Sequence, residues 1–221
     1  MSQSIRTRRV ASAVLTATAV TALTLSTAGT AGAAGAAGAA TEAAPRHTSG
    51  TAGLKGVDYD TWQRDVRAVV AQATPYVTER TAGTAADGRK PAVVLDIDNS
   101  SLETDFHWTT FPTPAIRPVL ELTRYAHARG AAIFFVTARP GILDSVTEWN
   151  LRQVGYPVSG LYVRHLPDLF QDVSTYKTAK RAEIEARGYT IVANIGNHTT
   201  DLVGGHAERT FKLPDYDGKL S

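Results

Sequence analysis

Two aspartates one residue apart, Asp96 and Asp98, close the apolar run Ala-Val-Val-Leu at 92–95 and lead into Asn99, Ser100 and Ser101. Unpaired carboxylates are too costly to bury as packing. The pair therefore calls for a cation, a proton or a solvent-filled cleft, the plainer alternative being a polar turn in which Asp is the turn former. Further along, Thr137, Ala138 and Arg139 follow a second apolar run, and Lys177 ends Ser174-Thr-Tyr-Lys. Gly196-Asn197-His198 then precedes Asp201. Acids, a hydroxyl, a lysine and a further acid on one sheet edge suit phosphoryl transfer. That chemistry needs a nucleophile, a divalent cation and donors for the equatorial oxygens. Hard oxygen ligands favour Mg²⁺.

The elements around these residues explain how they could meet. Tyr59, Trp62, Val66, Val69, Val70 and Ala73 recur at helical spacing, predicting a helix over 58–73 that Pro75 and the polar run 78–90 end. Apolar strands are predicted at 92–98, 131–137, 159–164 and 190–196, with a short fifth at 209–213. Helices are predicted at 115–129, at 141–154, and from a Ser174 cap to Arg187, with Gly130, Gly155 and Gly188 as stops. Continuous apolar strands alternating with helices imply an α/β fold: a doubly wound, Rossmann-like parallel sheet with helices on both faces. In such sheets ligands bind beyond the carboxyl ends of the strands, where all the polar clusters fall.

In this order and spacing the motifs resemble those of the haloacid dehalogenase-like (HAD) superfamily. Asp96-Ile97-Asp98-Asn99-Ser100 is similar to its Asp-x-Asp first motif, Phe-Val-Thr137 to its second and Lys177 to its third. Gly196-Asn197-His198-Thr199-Thr200-Asp201 is similar to its Gly-Asp-x-x-x-Asp fourth motif. Thr137-Ala138-Arg139-Pro140, Tyr176-Lys177-Thr178 and Asp201-Leu202-Val203-Gly204-Gly205 further resemble the secreted class B-type acid phosphatases and plant vegetative storage proteins. The resemblance runs over roughly 91–213. It implies Asp96 as a nucleophile forming an aspartyl-phosphate, and Asp98 as general acid and then base. It also implies that Thr137 and Lys177 act on the phosphoryl group, with Ser100, Ala138 and Arg139 beside the substrate. The metal ligands implied are Asp96, Asp98, Asn197 and Asp201, holding Mg²⁺. Two departures matter: Ser100 stands where Thr is usual, and Asn197 replaces an acid that usually ligates the metal. The amide oxygen can still coordinate Mg²⁺ but removes one negative charge, which leaves open whether Asn197 or Asp201 ligates the metal directly. Short inter-motif segments leave room for a flap but no large cap.

Around that core, Arg6, Arg8 and Arg9 precede a weakly apolar Val10–Leu25 run and Ala-x-Ala sites at 31–36, the layout of a secretory signal peptide. Thr and Ser dilute the run too much for a membrane anchor, and Arg8-Arg9 admits twin-arginine export. The expected organisation is a signal over 1–34, a disordered Ala/Gly-rich stretch over 35–53 and one domain over 54–221. Taking those three arginines from the 23 basic residues leaves 20 against 21 acidic ones. Nucleic-acid binding then loses its electrostatic support. With no cysteine, thiol catalysis, thiolate metal sites and disulfides are excluded.

The expected activity is secreted phosphomonoester hydrolysis on a small-molecule substrate, with no nucleic-acid duplex and no membrane partner after signal removal. The sequence leaves oligomeric state open. Alternatives are a catalytically weakened storage or phosphate-binding protein, or transfer of phosphate to alcohols. Lys180 reads as a solvated helix face and His198 as a neighbour of the metal loop. Phe106, His107, Trp108 and Phe111 form a flap expected to shape the leaving-group pocket, or to pack onto the body.

Overall fold

The computed structural model describes residues 56–83 and 88–220. The expected signal peptide and Ala/Gly-rich stretch lie outside the described residues. Five parallel strands form one sheet: β1 (Lys90–Leu95), β2 (Ala132–Pro140), β3 (Gly160–Arg164), β4 (Tyr189–Gly196) and β5 (Thr210–Lys212). Their order is β3-β2-β1-β4-β5. The chain winds outward from β1 through β2 to β3, then crosses back to build β4 and β5 on the other side. The switch point therefore lies between β1 and β4.

Helices cover both faces. On one, α1 (Tyr59–Arg80), α2 (Arg117–Ala128) and Leu151 of α3 (Asp144–Gln153) bury Trp62, Val66, Val119 and Leu122 against Val93, Leu95, Ile133 and Phe135. On the other, α4 (Val173–Ala186) packs Tyr176 and Ile184 onto Ala92, Val94, Phe134 and Ile191. Alternate residues of β1 thus face opposite cores, which is why the strand reads as uninterrupted apolar sequence. A short α5 (Thr199–Leu202) follows β4.

Several boundaries differ from the sequence expectation for physical reasons. Helix α1 does not stop at Pro75 but runs through it to Arg80. An interior proline costs about 3 kcal/mol, and burial of Ala73 and Val77 on either side offsets it. The cap of α4 is Asp172, whose carboxylate accepts from Thr175 N at 3.0 Å, rather than Ser174. Strand β2 continues to Pro140, and a 3₁₀ turn (Gly141–Leu143) separates it from α3.

Candidate active site

The tight turn after β1 sets the geometry. Asp96 N donates to Ile195 O (3.0 Å), which keeps Asp96 beside β4. Ser101 Oγ donates to Asp96 O (2.6 Å), and the Ser101 and Leu102 amides close onto Ile97 O. Asn99 takes a left-handed φ of 52°, and its side-chain oxygen accepts from Asp105 N (3.0 Å). The turn thereby throws the chain into a flap of residues 101–116 and leaves both aspartates at the strand tip.

Lys177, on the first half of α4, joins the two sides of the switch point. Its Nζ lies 2.6 Å from Asp96 Oδ1 and 2.6 Å from Asp201 Oδ1, and all three side chains are buried. Burial pushes the Asp96 carboxyl up to about 6; Lys177 opposes that rise, while Asp201 and Asp98 add to it. Burial works against the charged ammonium, yet Asp96 and Asp201 outweigh it and raise Lys177 above its ordinary value. The lysine is therefore a permanent cation between two acids.

Asp201 is held on every side. Its Oδ2 accepts from His198 N (2.8 Å). Its carbonyl accepts from Asn194 Nδ2 and from Arg181 Nη1, both at 2.8 Å. A Cβ on Gly196 would sit 2.4 Å from Asp201 Oδ2, so only glycine lets the acid close over the strand end. Arg181, fully buried one turn beyond Lys177, also binds Gly205 O (2.9 Å) and Val203 O, clamping the loop that carries Asp201. Sequence reading missed Arg181. The available signal was its i+4 position from Lys177, which places both on one helix face.

Asp98, close enough to Asp96 to raise its carboxyl, has its own set of partners. Arg139 grips it with two bonds, Nη2 to Oδ1 (2.7 Å) and Nε to Oδ2 (3.0 Å), and Thr104 Oγ1 donates to Oδ1 (2.8 Å). Arg139 Nη1 continues to Thr147 Oγ1 on α3 (3.2 Å). Thr137 is buried at the β2 tip and its Oγ1 accepts from Arg139 N (3.2 Å), while Ala138 is exposed.

Ser100 and Asn197 form a separate pair. Ser100 Oγ donates to Asn197 Oδ1 and accepts from Asn197 N, both at 3.0 Å, and Asn197 Nδ2 donates to Leu220 O (3.2 Å). Both residues are fully buried, so Ser100 offers substrate no hydroxyl surface; it ties the β1 turn to the β4 turn. The Asn197 amide oxygen already accepts a hydrogen bond. Among the described residues no three acids or histidines converge as a preformed metal cage. The Asp96 and Asp201 carboxylates nevertheless suit Mg²⁺, which keeps several waters and takes one or two carboxylates plus substrate oxygens.

The flap divides. Phe106 stacks on Trp62 (centroids 4.5 Å, 23°) and packs onto the body. His107 pairs with Glu103 at 3.0 Å. Glu103 itself is buried, taking hydrogen bonds from Tyr59 Oη (3.0 and 3.1 Å) and Gln63 Nε2 (2.7 Å) on α1. Burial pushes its carboxyl up to about 7. Trp108 and Phe111 stay exposed. Lys180, expected on a solvated helix face, is half-buried: its Nζ lies 3.3 Å from Glu183 and over the Tyr162 and Tyr176 rings, 5.8 and 5.6 Å from their centroids.

A doubly wound parallel sheet, with an acid just after β1 and another on α5 after β4 sharing one lysine at the switch point, defines the class of protein. The family described as HAD superfamily, subfamily IIIB (acid phosphatase), matches residues 109–219, a span holding Thr137, Arg139, Lys177, Asn197 and Asp201 and beginning after Asp96 and Asp98. The chain belongs to that family. It is 38% identical to the Stem 28 kDa glycoprotein of Glycine max over 46% of this chain and 42% of that protein. To Acid phosphatase 1 of Solanum lycopersicum it is 29% identical, over 71% of this chain and 57% of the relative. The chain thus spans less than two thirds of these relatives. In fold it matches the class C acid phosphatase from Bacillus anthracis with a TM-score of 0.53 and 19% identity, covering 71% of this chain and 82% of that structure.

Proposed function

We propose that the chain is a secreted, Mg²⁺-dependent phosphomonoester hydrolase that works through an aspartyl-phosphate on Asp96. The observation that carries this reading is Lys177 Nζ at 2.6 Å from both Asp96 and Asp201, with a third aspartate, Asp98, held beside them by Arg139. Membership of an acid phosphatase subfamily supports the reaction class. The basic run and Ala-rich segment at the N-terminus support export.

Lys177 leaves one Asp96 oxygen unengaged by it, and that oxygen attacks phosphorus as the bond to the alcohol oxygen breaks. Asp98 gives its proton to the departing oxygen. It then takes a proton from water, whose oxygen attacks the phosphorus of the aspartyl-phosphate, releasing phosphate and restoring Asp96. Lys177 holds Asp96 oriented and offsets charge as the dianion arrives. Arg139 and Thr137 stand at the β2 tip, where they can donate to phosphoryl oxygens. Asp96 and Asp201 are the carboxylates that would hold Mg²⁺, with the main-chain carbonyl of Asp98. When bound, the ion supplies positive charge against the phosphoryl oxygens.

Hydrolysis of phenyl phosphate by the purified chain, measured with Mg²⁺ and with chelator from acid to neutral pH, tests this. Expected is turnover that chelation removes and Asp96→Asn abolishes. Tight binding of phosphate without turnover in the presence of Mg²⁺ would select the phosphate-binding alternative.

A further inference from the structure

We propose that the phosphomonoester this site takes carries a long apolar alcohol, an alkyl chain lying across an exposed rim on the Asp98 side of the mouth. The proposal rests on the phosphatase reading above and names its substrate class. Among the described residues, eleven large apolar side chains stand exposed, and nine of them sit on three segments. These are the flap, the start of α3 with its preceding turn, and the loop after β3, all following the carboxyl ends of strands. Ile142 is 90% exposed, Phe170 84%, Leu166 71%, Trp108 70% and Phe111 61%. Apolar surface gathered in one place marks an interaction site, whereas scattered residues do not.

Contacts join the three segments. Phe111 stacks on Trp149 (centroids 5.0 Å, 21°). Asn150 accepts from Thr113 N (2.8 Å) and donates to Thr113 O (2.9 Å), fixing flap to α3. Gly141 lies so close to the next loop that a Cβ there would meet His165 Nδ1 at 2.1 Å. The rim is joined to the chemistry through the same residues that hold Asp98: Thr104 from the flap, and Arg139, which reaches Thr147 on α3.

The general acid marks the side on which the alcohol departs, so the body of the alcohol leaves over these segments. The phosphoryl end meets Lys177 and Arg139, and the other end meets carbon. Aliphatic and aromatic side chains spread over three segments exceed the footprint of one ring. An extended chain fits them.

The test compares ethylphosphonate and octylphosphonate, which cannot be hydrolysed, by calorimetric titration with Mg²⁺ below the micellar concentration. Expected is at least about tenfold tighter binding of the octyl compound, since each added methylene buried strengthens binding. Ile142→Ser and Trp149→Ala should each cut that ratio severalfold; Ile142 is almost wholly exposed, so its replacement leaves the fold intact. Equal affinities, no binding of either compound, or a ratio that both variants leave unchanged would overturn the proposal. So would equal affinities with a dimer that Ile142→Ser dissociates, which would make a second copy the occupant. Chain-length-dependent binding without hydrolysis of octyl phosphate would uphold the rim and overturn the phosphatase reading alone.

Discussion

Arg139 holds Asp98 with two parallel bonds, Nη2 to Oδ1 at 2.7 Å and Nε to Oδ2 at 3.0 Å. This is the forked geometry that only a guanidinium provides. It fixes where the Asp98 carboxyl points while keeping a cation at the mouth. Arg139→Lys keeps the charge and loses the fork. A charge-assisted hydrogen bond contributes roughly 1.5–3 kcal/mol, and tenfold in rate corresponds to about 1.4 kcal/mol. Expected in steady-state kinetics on an aryl phosphate is a fall in kcat/KM of about tenfold for Arg139→Lys and about a hundredfold for Arg139→Ala. Values equal to wild type would show that the fork does not position Asp98.

Lys177 makes a second expectation concrete. Removing it leaves Asp96 and Asp201 buried with no cation between them, and breaking a buried ion pair costs about 3–5 kcal/mol. For a domain of this size that is a fall in Tm of roughly 10 °C. Lys177→Met should show the fall at pH 8 and a smaller one at pH 5, where a carboxyl raised by burial can take up a proton. A fall equal at both pH values would contradict the charge-pair explanation.

Glu103 sets a pH dependence remote from the chemistry. Its carboxyl rises from an ordinary 4.5 to about 7 in the fold, chiefly through burial. The folded chain therefore binds this proton more tightly than the unfolded chain. The contribution of Glu103 is most favourable below pH 4.5, declines as pH climbs to 7, and is constant above that. The span is at most about 3 kcal/mol at 1.36 kcal/mol per pKa unit. Urea unfolding of Glu103→Gln should show stability relative to wild type improving from pH 4.5 to pH 8. A difference that stays flat would mean that the fold binds the Glu103 proton no more tightly than the unfolded chain does.

The sheet was legible because strands buried on both faces leave unbroken apolar runs, and the polar residues ending those runs could only lie at one edge. That edge brought Asp96, Lys177 and Asp201 together. Other features were illegible for physical reasons. Pro75 carries a helix-breaking signal, and only the burial of Ala73 and Val77 shows it overridden. Phe106 and Phe111 look alike in sequence; one stacks on Trp62 and the other on Trp149, contacts set by tertiary packing. Ser100 and Asn197 have the right types to touch substrate and metal. Their mutual hydrogen bonds depend on how two strand tips meet, which no single segment encodes. Glu103 and Arg181 belong to no motif, since each acts through partners distant in the chain.

The covalent step gives the sharpest test. The chain is mixed with a phosphomonoester and Mg²⁺, quenched in acid within one turnover, digested, and the peptide containing Asp96 weighed. Expected is a phosphoryl mass increment on Asp96, present in wild type and missing in Asp96→Asn. Wild-type chain that hydrolyses the ester while this peptide stays unmodified at every quench time would contradict nucleophilic attack by Asp96.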